Sequence, residues 1–215
     1  AHYWGYRNFE APDASRNLTP WGIMIGGEEL HNNHHTYPTS AKFSVKSYEF
    51  DIGWLYIRVL ETLGLAKAKK TVPVMLMGEV KPVADEKTLE AVIAHRYQVM
   101  AHYARDMQAA CKAEIAALKA KGADLSVMKT AKRWLHRDAD QVPASAAAHL
   151  VEARSKHPVL DKMVLMREEL RQVWISTNQS REQLARDLQL WCQRAEASGI
   201  AALSGFSHKL KAVKV

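Results

Sequence analysis

The sequence predicts an all-α fold in two regions: a stretch of loops and short amphipathic helices, then a helical-bundle tail. Three observations carry this. From residue 85 onward, apolar residues recur at three- and four-residue intervals. The same stretch is rich in Ala, Lys, Arg, Glu and Gln, which favour helix. Between the regions, Pro73, Gly78 and Pro82 interrupt regular structure.

Residues 1–72 are rich in aromatics, Gly and His, and include Trp4, Trp21 and Trp54. Leu18 to Leu30 reads as a loop entering a helix, with Thr19-Pro20 as a start signal. Ile52 to Leu65 reads as a helix. Its Ile52, Leu55, Tyr56, Val59, Leu60 and Leu63 share one face, Asp51 is placed to cap it and Gly64 to end it. Lys67, Lys69 and Lys70 follow directly. An amphipathic helix with lysines at its exit suits a membrane interface, and a core helix with a solvated basic end fits equally well. Residues 73–84 form the linker.

Residues 85–215 read as a helical C-terminal extension. Asp85 to Lys121 is one long helix, with the stripe Leu89, Ile93, Tyr97, Met100, Ala104, Met107, Cys111, Ile115 and Leu118, stopped by Gly122. Leu125–Leu135, Ser145–Arg154 and Val159–Trp174 follow; the stripe of the last includes Arg167. Ser180 opens another helix, with Leu184, Leu188, Trp191 and Cys192 inward. Gly199 ends it, and Ile200, Leu203, Phe206 and Leu210 mark the final one. Met and aromatic stripes of this kind are the ordinary core of a bundle rather than a cofactor site.

Bulk properties narrow the function only a little. With 30 Lys+Arg against 23 Asp+Glu, the net charge is +7. That favours anionic surroundings such as phospholipid headgroups, an acyl-CoA phosphate or nucleic acid. No run of about 18 apolar residues is present to cross a bilayer. Cys111 and Cys192 fall in apolar stripes and are expected as buried free thiols. There is no phosphate-cradling glycine motif, paired-cysteine metal motif or serine elbow. Ala1 to Tyr6, packed with aromatics, reads as the interior of a longer protein, so an upstream part of the same protein is expected.

The chemistry sits in Gly26-Gly27-Glu28-Glu29-Leu30-His31-Asn32-Asn33-His34-His35. Histidines three and four residues apart on a helix are neighbours on one face. Neutral imidazole is a common ligand of zinc, copper, iron and nickel. His34 and His35 diverge by about a hundred degrees, which suits a pair of ions better than one. A zinc protease is the poorer fit. That chemistry needs His-Glu-x-x-His, and Asn32 stands where the general base would be. Glu28, Glu29 and Asp51 are candidate acceptors for imidazole N–H groups, with a salt bridge or a helix cap as the alternative for each.

His31-Asn32-Asn33-His34-His35-Thr36-Tyr37-Pro38 resembles the third histidine box of the membrane-bound, delta-9 type acyl desaturases. His2-Tyr3-Trp4-Gly5-Tyr6-Arg7 is similar to a segment upstream of that box. Tyr48-Glu49-Phe50-Asp51-Ile52-Gly53-Trp54 and Leu63-Gly64-Leu65-Ala66 are similar to the stretch after it. The resemblance covers residues 1–72. The tail resembles the C-terminal extension of proteobacterial members at Ala94-His95-Arg96-Tyr97 and Gln189-Leu190-Trp191-Cys192.

The resemblance implies that residues 1–72 belong to the cytosolic cap of a bacterial inner-membrane enzyme with two histidine-held irons. It would use dioxygen and electrons from a ferredoxin-like protein or reductase to place a cis double bond in a fatty acyl-CoA or acyl lipid. By position, His2, His31, His34 and His35 would be iron ligands. The earlier boxes lie outside this chain, so alone it is expected to bind iron poorly and to be inactive. A hydroxylase of the same histidine-box kind is the alternative enzyme. For the tail, the alternative is a basic binding module. Residues 188–210 faintly resemble the end of certain bacterial transposases, but no recognition-helix signature is present, so nucleic acid is the least favoured partner.

Overall fold

The computed structural model describes residues 2–11 and 13–214. Among these the fold is all-α, with a few two-residue strands, and no helix is long and apolar enough to cross a membrane. The chain divides into two compact units, residues 1–74 and 75–215.

The first unit is mostly loop. Strand β1 (Trp21–Gly22) pairs in parallel with β2 (Phe50–Asp51), placing Trp21 opposite Phe50 and Gly22 opposite Asp51. Between them, a 3-10 turn (Glu28–Leu30) runs directly into α1 (His31–Thr36). Gly27 makes the entry possible. Its φ is +101°, and a Cβ there would lie 2.7 Å from Asp51 Oδ1. Helix α2 (Ile52–Thr62) starts as the sequence predicts, with Asp51 accepting the Trp54 N–H at 2.9 Å. It ends two residues before Gly64, whose φ is +71°.

The second unit is a bundle of α3 (Glu86–Ala94), α4 (Arg96–Ala120), α5 (Ser126–Trp134), α6 (Ala144–Lys156), α7 (Pro158–Ile175), α8 (Arg181–Ala197) and α9 (Ala201–Lys211). Its start differs from the sequence expectation. Residues 76–77 of the expected linker form β3 (Leu76–Met77), antiparallel to β4 (Val213–Lys214), so this stretch belongs to the bundle. Local sequence cannot show a pairing with residues about 140 positions away.

The expected single helix over 85–121 is two. It breaks at His95, which is buried with φ −107° and ψ 18°, its Nδ1 3.1 Å from Gln98 Oε1. The stripe Leu89, Met100, Met107 and Cys111 is buried as predicted, but Val99 and Tyr103 join it while Tyr97 and Ala104 are only half-buried. A one-residue break shifts which face turns inward without altering the three–four spacing. Pro158 is the first residue of α7, where its missing N–H costs nothing.

The core joins Tyr103, Trp191 and Phe206. The Tyr103 and Phe206 ring centres are 4.9 Å apart, the Tyr103 hydroxyl donates to the Met163 carbonyl at 2.6 Å, and Trp191 Nε1 donates to that of Met166 at 2.8 Å. Arg167, which looked out of place in an apolar stripe, is buried because Asp138 (2.6 Å) and Glu168 (2.7 Å) neutralise it. Cys111 and Cys192 are buried and free. Burial pushes the Cys111 thiol up to about 11, so it resists oxidation.

Two outcomes follow from this bundle. Leu188 is fully buried in the core. Leu188→Ala is expected to cost about 2–5 kcal/mol in denaturant unfolding monitored by tryptophan fluorescence. Burial, helped by Arg137 and Arg167, lowers His136 from 6.5 to about 4. The unfolded chain therefore takes up this proton first, and the contribution of His136, complete above pH 6.5, is lost as pH falls toward 4. Melting temperatures across that window should drop less steeply in His136→Gln than in the parent.

Candidate metal centre

Helix α1 is only six residues long and lacks a side-chain cap at the residue preceding it, so its own hydrogen bonds cannot hold it. The two asparagines between its histidines do so. Asn32 is fully buried. Its Oδ1 accepts the N–H groups of Asn8 (2.9 Å) and Phe9 (3.0 Å), and its Nδ2 donates to the Phe9 carbonyl at 3.0 Å. Asn33 Nδ2 donates to the Phe43 carbonyl (2.9 Å) and to Glu49 Oε2 (2.8 Å). Asn17 Oδ1 takes the otherwise orphaned N–H groups of Asn32 (2.8 Å) and Asn33 (3.2 Å). Glu49 closes the frame, accepting from Tyr6, Asn8, Val45 and Lys46 at 2.6–2.9 Å.

With both asparagines turned inward, the imidazoles stay near the surface. His2, His31 and His35 converge so that one ring nitrogen of each lies within 4.8 Å of the others. The Nε2 atoms of His2 and His31 are 3.4 Å apart, and the His31 and His35 ring centres 4.2 Å apart. His34 stands outside this trio. Its ring lies against Phe43, centres 4.4 Å apart, and its Nδ1 is buried without a hydrogen-bond partner.

Carboxylates orient two of the rings. Asp13 Oδ2 contacts Nδ1 of His35. A carboxylate only accepts, so that nitrogen carries the proton and Nε2 keeps a lone pair for a metal. Although burial alone would raise Asp13, hydrogen bonds from Ser15 and His35 hold it well below the carboxylate range. Glu28 lies 3.6 Å from Nδ1 of His31. Burial and the neighbouring His35 and His2 push His31 down, so its neutral, ligating form dominates near neutral pH.

Of the three acidic candidates, only Glu28 faces an imidazole. Glu29 instead accepts the backbone N–H groups of Met24 (2.5 Å) and Ile25 (3.1 Å). Asp51 caps α2 and takes the Phe43 N–H at 2.6 Å. Asp13 is the residue sequence reading missed. It lies 22 positions from His35, and no spacing rule links them.

The comparisons divide along the chain. The family model described as Transposase (DDE_Tnp_ISL3) matches residues 81–214. This is more than half of the chain, and through that helical stretch the chain belongs to the family. The faint likeness seen at residues 188–210 thus extends across nearly the whole bundle. A separate similarity is to desaturases. The chain is 52% identical over 67 residues to sn-2 palmitoyl-lipid 9-desaturase of Nostoc sp., covering 31% of this chain and 24% of that protein. It is 42% identical over 65 residues to Delta-9 desaturase-like 5 protein of Arabidopsis thaliana, covering 30% and 22%. It is 41% identical over 77 residues to sn-1 stearoyl-lipid 9-desaturase of Synechocystis sp., covering 36% and 24%. The chain spans about a quarter of the length of the curated relatives it matches. No solved structure matches.

Asn33→Ala removes an amide that four groups share, two of them buried, leaving Glu49 and Asn17 short of partners. It is expected to lower stability by about 2–4 kcal/mol and to disperse the imidazole proton resonances of His31 and His35, read by NMR.

Proposed function

We propose that this chain is part of a membrane-bound di-iron fatty acyl desaturase. The observation that supports it most is the convergence of His2, His31 and His35, with His34 set apart from them. The donor set fits. Three imidazole nitrogens within 4.8 Å can hold one iron. The buried, unpartnered Nδ1 of His34 is available to a second, completed by ligands from outside this chain. The desaturase similarity is what favours iron among the metals that such donors hold.

When bound, the irons would supply the oxidising power to break aliphatic C–H bonds, which no side chain provides. Overall, a saturated acyl chain, dioxygen, two electrons and two protons would give a cis double bond and two waters. An electron-donor protein supplies the electrons. Within this chain, Asp13 fixes the His35 tautomer, Glu28 steadies His31, and the asparagine frame holds the spacing. The carrier is acyl-CoA or an acyl lipid, and the protein would sit in a bacterial inner membrane with these residues on its cytoplasmic side.

Expressed as the whole protein, it should contain two irons and yield monounsaturated acyl chains by gas chromatography. His31→Ala or His35→Ala should abolish product, and Asp13→Asn should weaken metal binding about 10–100-fold. The 215-residue chain alone should hold little iron and form no double bond. A hydroxylated product would favour the related oxygenase instead.

A second reading is supported by one finding, the transposase family match over residues 81–214. On it, the bundle is a nucleic-acid-binding module. Lys129, Lys132 and Arg133, exposed on one face of α5, would contact phosphates. Retardation of duplex DNA that falls steeply with salt would support it; retardation absent at low salt would leave a protein-docking role.

A further inference from the structure

Helices α7 and α8 leave a groove along one side of their hairpin. On α7, Glu169, Val173 and Ser176 fall at helical spacing, and on α8 Asp187, Leu190 and Arg194 do the same. The groove between these faces measures about 520 Å3, within the range of small-molecule sites. Its floor is apolar and fixed. Val173 and Trp191 are 5% and 1% exposed, and Trp191 Nε1 donates across to the Met166 carbonyl of α7 at 2.8 Å. Leu190 forms a wall and is 55% exposed, so apolar surface there stands open to water.

Both ends of the groove are bridged. At one, Glu169 and Arg194 join the two helices by a double contact, Oε1 to Nη1 at 3.1 Å and Oε2 to Nη2 at 2.9 Å. At the other, Gln179 of the connecting loop donates to Asp187 Oδ2 at 3.2 Å. A basin closed at each end suits a compact molecule, whereas a partner helix needs an open trough. Asp187 sets the charge. Its oxygens accept from neutral amides, Gln183 at 2.8 Å on Oδ1 and Gln179 on Oδ2, and it pairs with no cation among the described residues. Glu169 is already matched by Arg194. The lining therefore holds one carboxylate in excess, in a chain whose net charge is +7. Phosphates and carboxylates would be repelled there, while a cation would gain a charge-assisted hydrogen bond beside an apolar floor.

We propose that this groove binds a small organic amine, its ammonium group on Asp187 and its apolar body against Val173, Leu190 and the Trp191 floor. The ammonium would donate to the carboxylate lone pairs that the two glutamines leave free. The site uses no residue of the histidine cluster or of the basic α5 face, and it needs neither iron nor nucleic acid.

The test titrates the 215-residue chain with three probes that share one body and differ in the head: phenylbutylamine, phenylbutanol and phenylvalerate. Binding is followed by NMR at the Val173 and Leu190 methyls and the Trp191 indole N–H. The amine should saturate these shifts with a dissociation constant of about 1 mM or below. It should bind about tenfold tighter than the alcohol, and the carboxylate should bind weakest. Asp187→Asn should bring the amine to the level of the alcohol and leave the alcohol unchanged. Leu190→Gln should weaken amine and alcohol alike by about three- to tenfold, with the parent's melting temperature, because that side chain is exposed. Three outcomes would overturn the proposal. One is no saturating shift with any probe up to about 10 mM. Another is equal affinity for all three heads. The last is an Asp187→Asn variant that melts like the parent and still prefers the amine.

Discussion

The first unit depends on one buried polar frame: Asn17, Asn32, Asn33 and Glu49, hydrogen-bonded to one another and to the backbone around them. It contains little apolar core, with Phe9, Ala11 and Leu30 its buried hydrophobics among the described residues. A six-residue helix in such a setting would not persist by its own ladder. Buried polar networks of this type specify a single arrangement when every member is satisfied. Here the arrangement specified is the outward, converging presentation of His31 and His35 beside His2.

The second unit is held together differently. Its core is apolar and aromatic, drawn from α3 to α9, with Arg167 admitted only because carboxylates meet it. Its kinship differs as well, being to a transposase family, whereas the desaturase similarity spans about a third of the chain. Two units with different stabilising physics and different relatives are consistent with two separate roles, and neither role need be read from the other.

Much of this was legible from residues alone, and what was not has identifiable causes. Asp51, Ser180, Gly122 and Gly199 bound helices because capping and positive φ are local chemistry, visible within a few positions. The pairing of His31 with His35 follows from helical spacing. The break at His95, the β3–β4 pairing and the Asp13–His35 contact were not visible. Each depends on tertiary contacts or on a single-residue deviation that leaves the hydrophobic period intact. Asn32 was read only as a residue unable to act as a base, and Asn33 was given no role. That they are the frame of the site emerges from their partners at positions 8, 17, 43 and 49.

The central claim is that this frame sets three imidazoles on one ion and keeps the fourth apart. Cobalt(II) is a paramagnetic probe of nitrogen ligands that shifts the resonances of the rings it binds. Proton NMR of the 215-residue chain at saturating cobalt should show hyperfine-shifted ring resonances assigned to His2, His31 and His35, with His34 outside that set. Shifts confined to a single histidine, or His34 shifting in place of His2, would contradict the account.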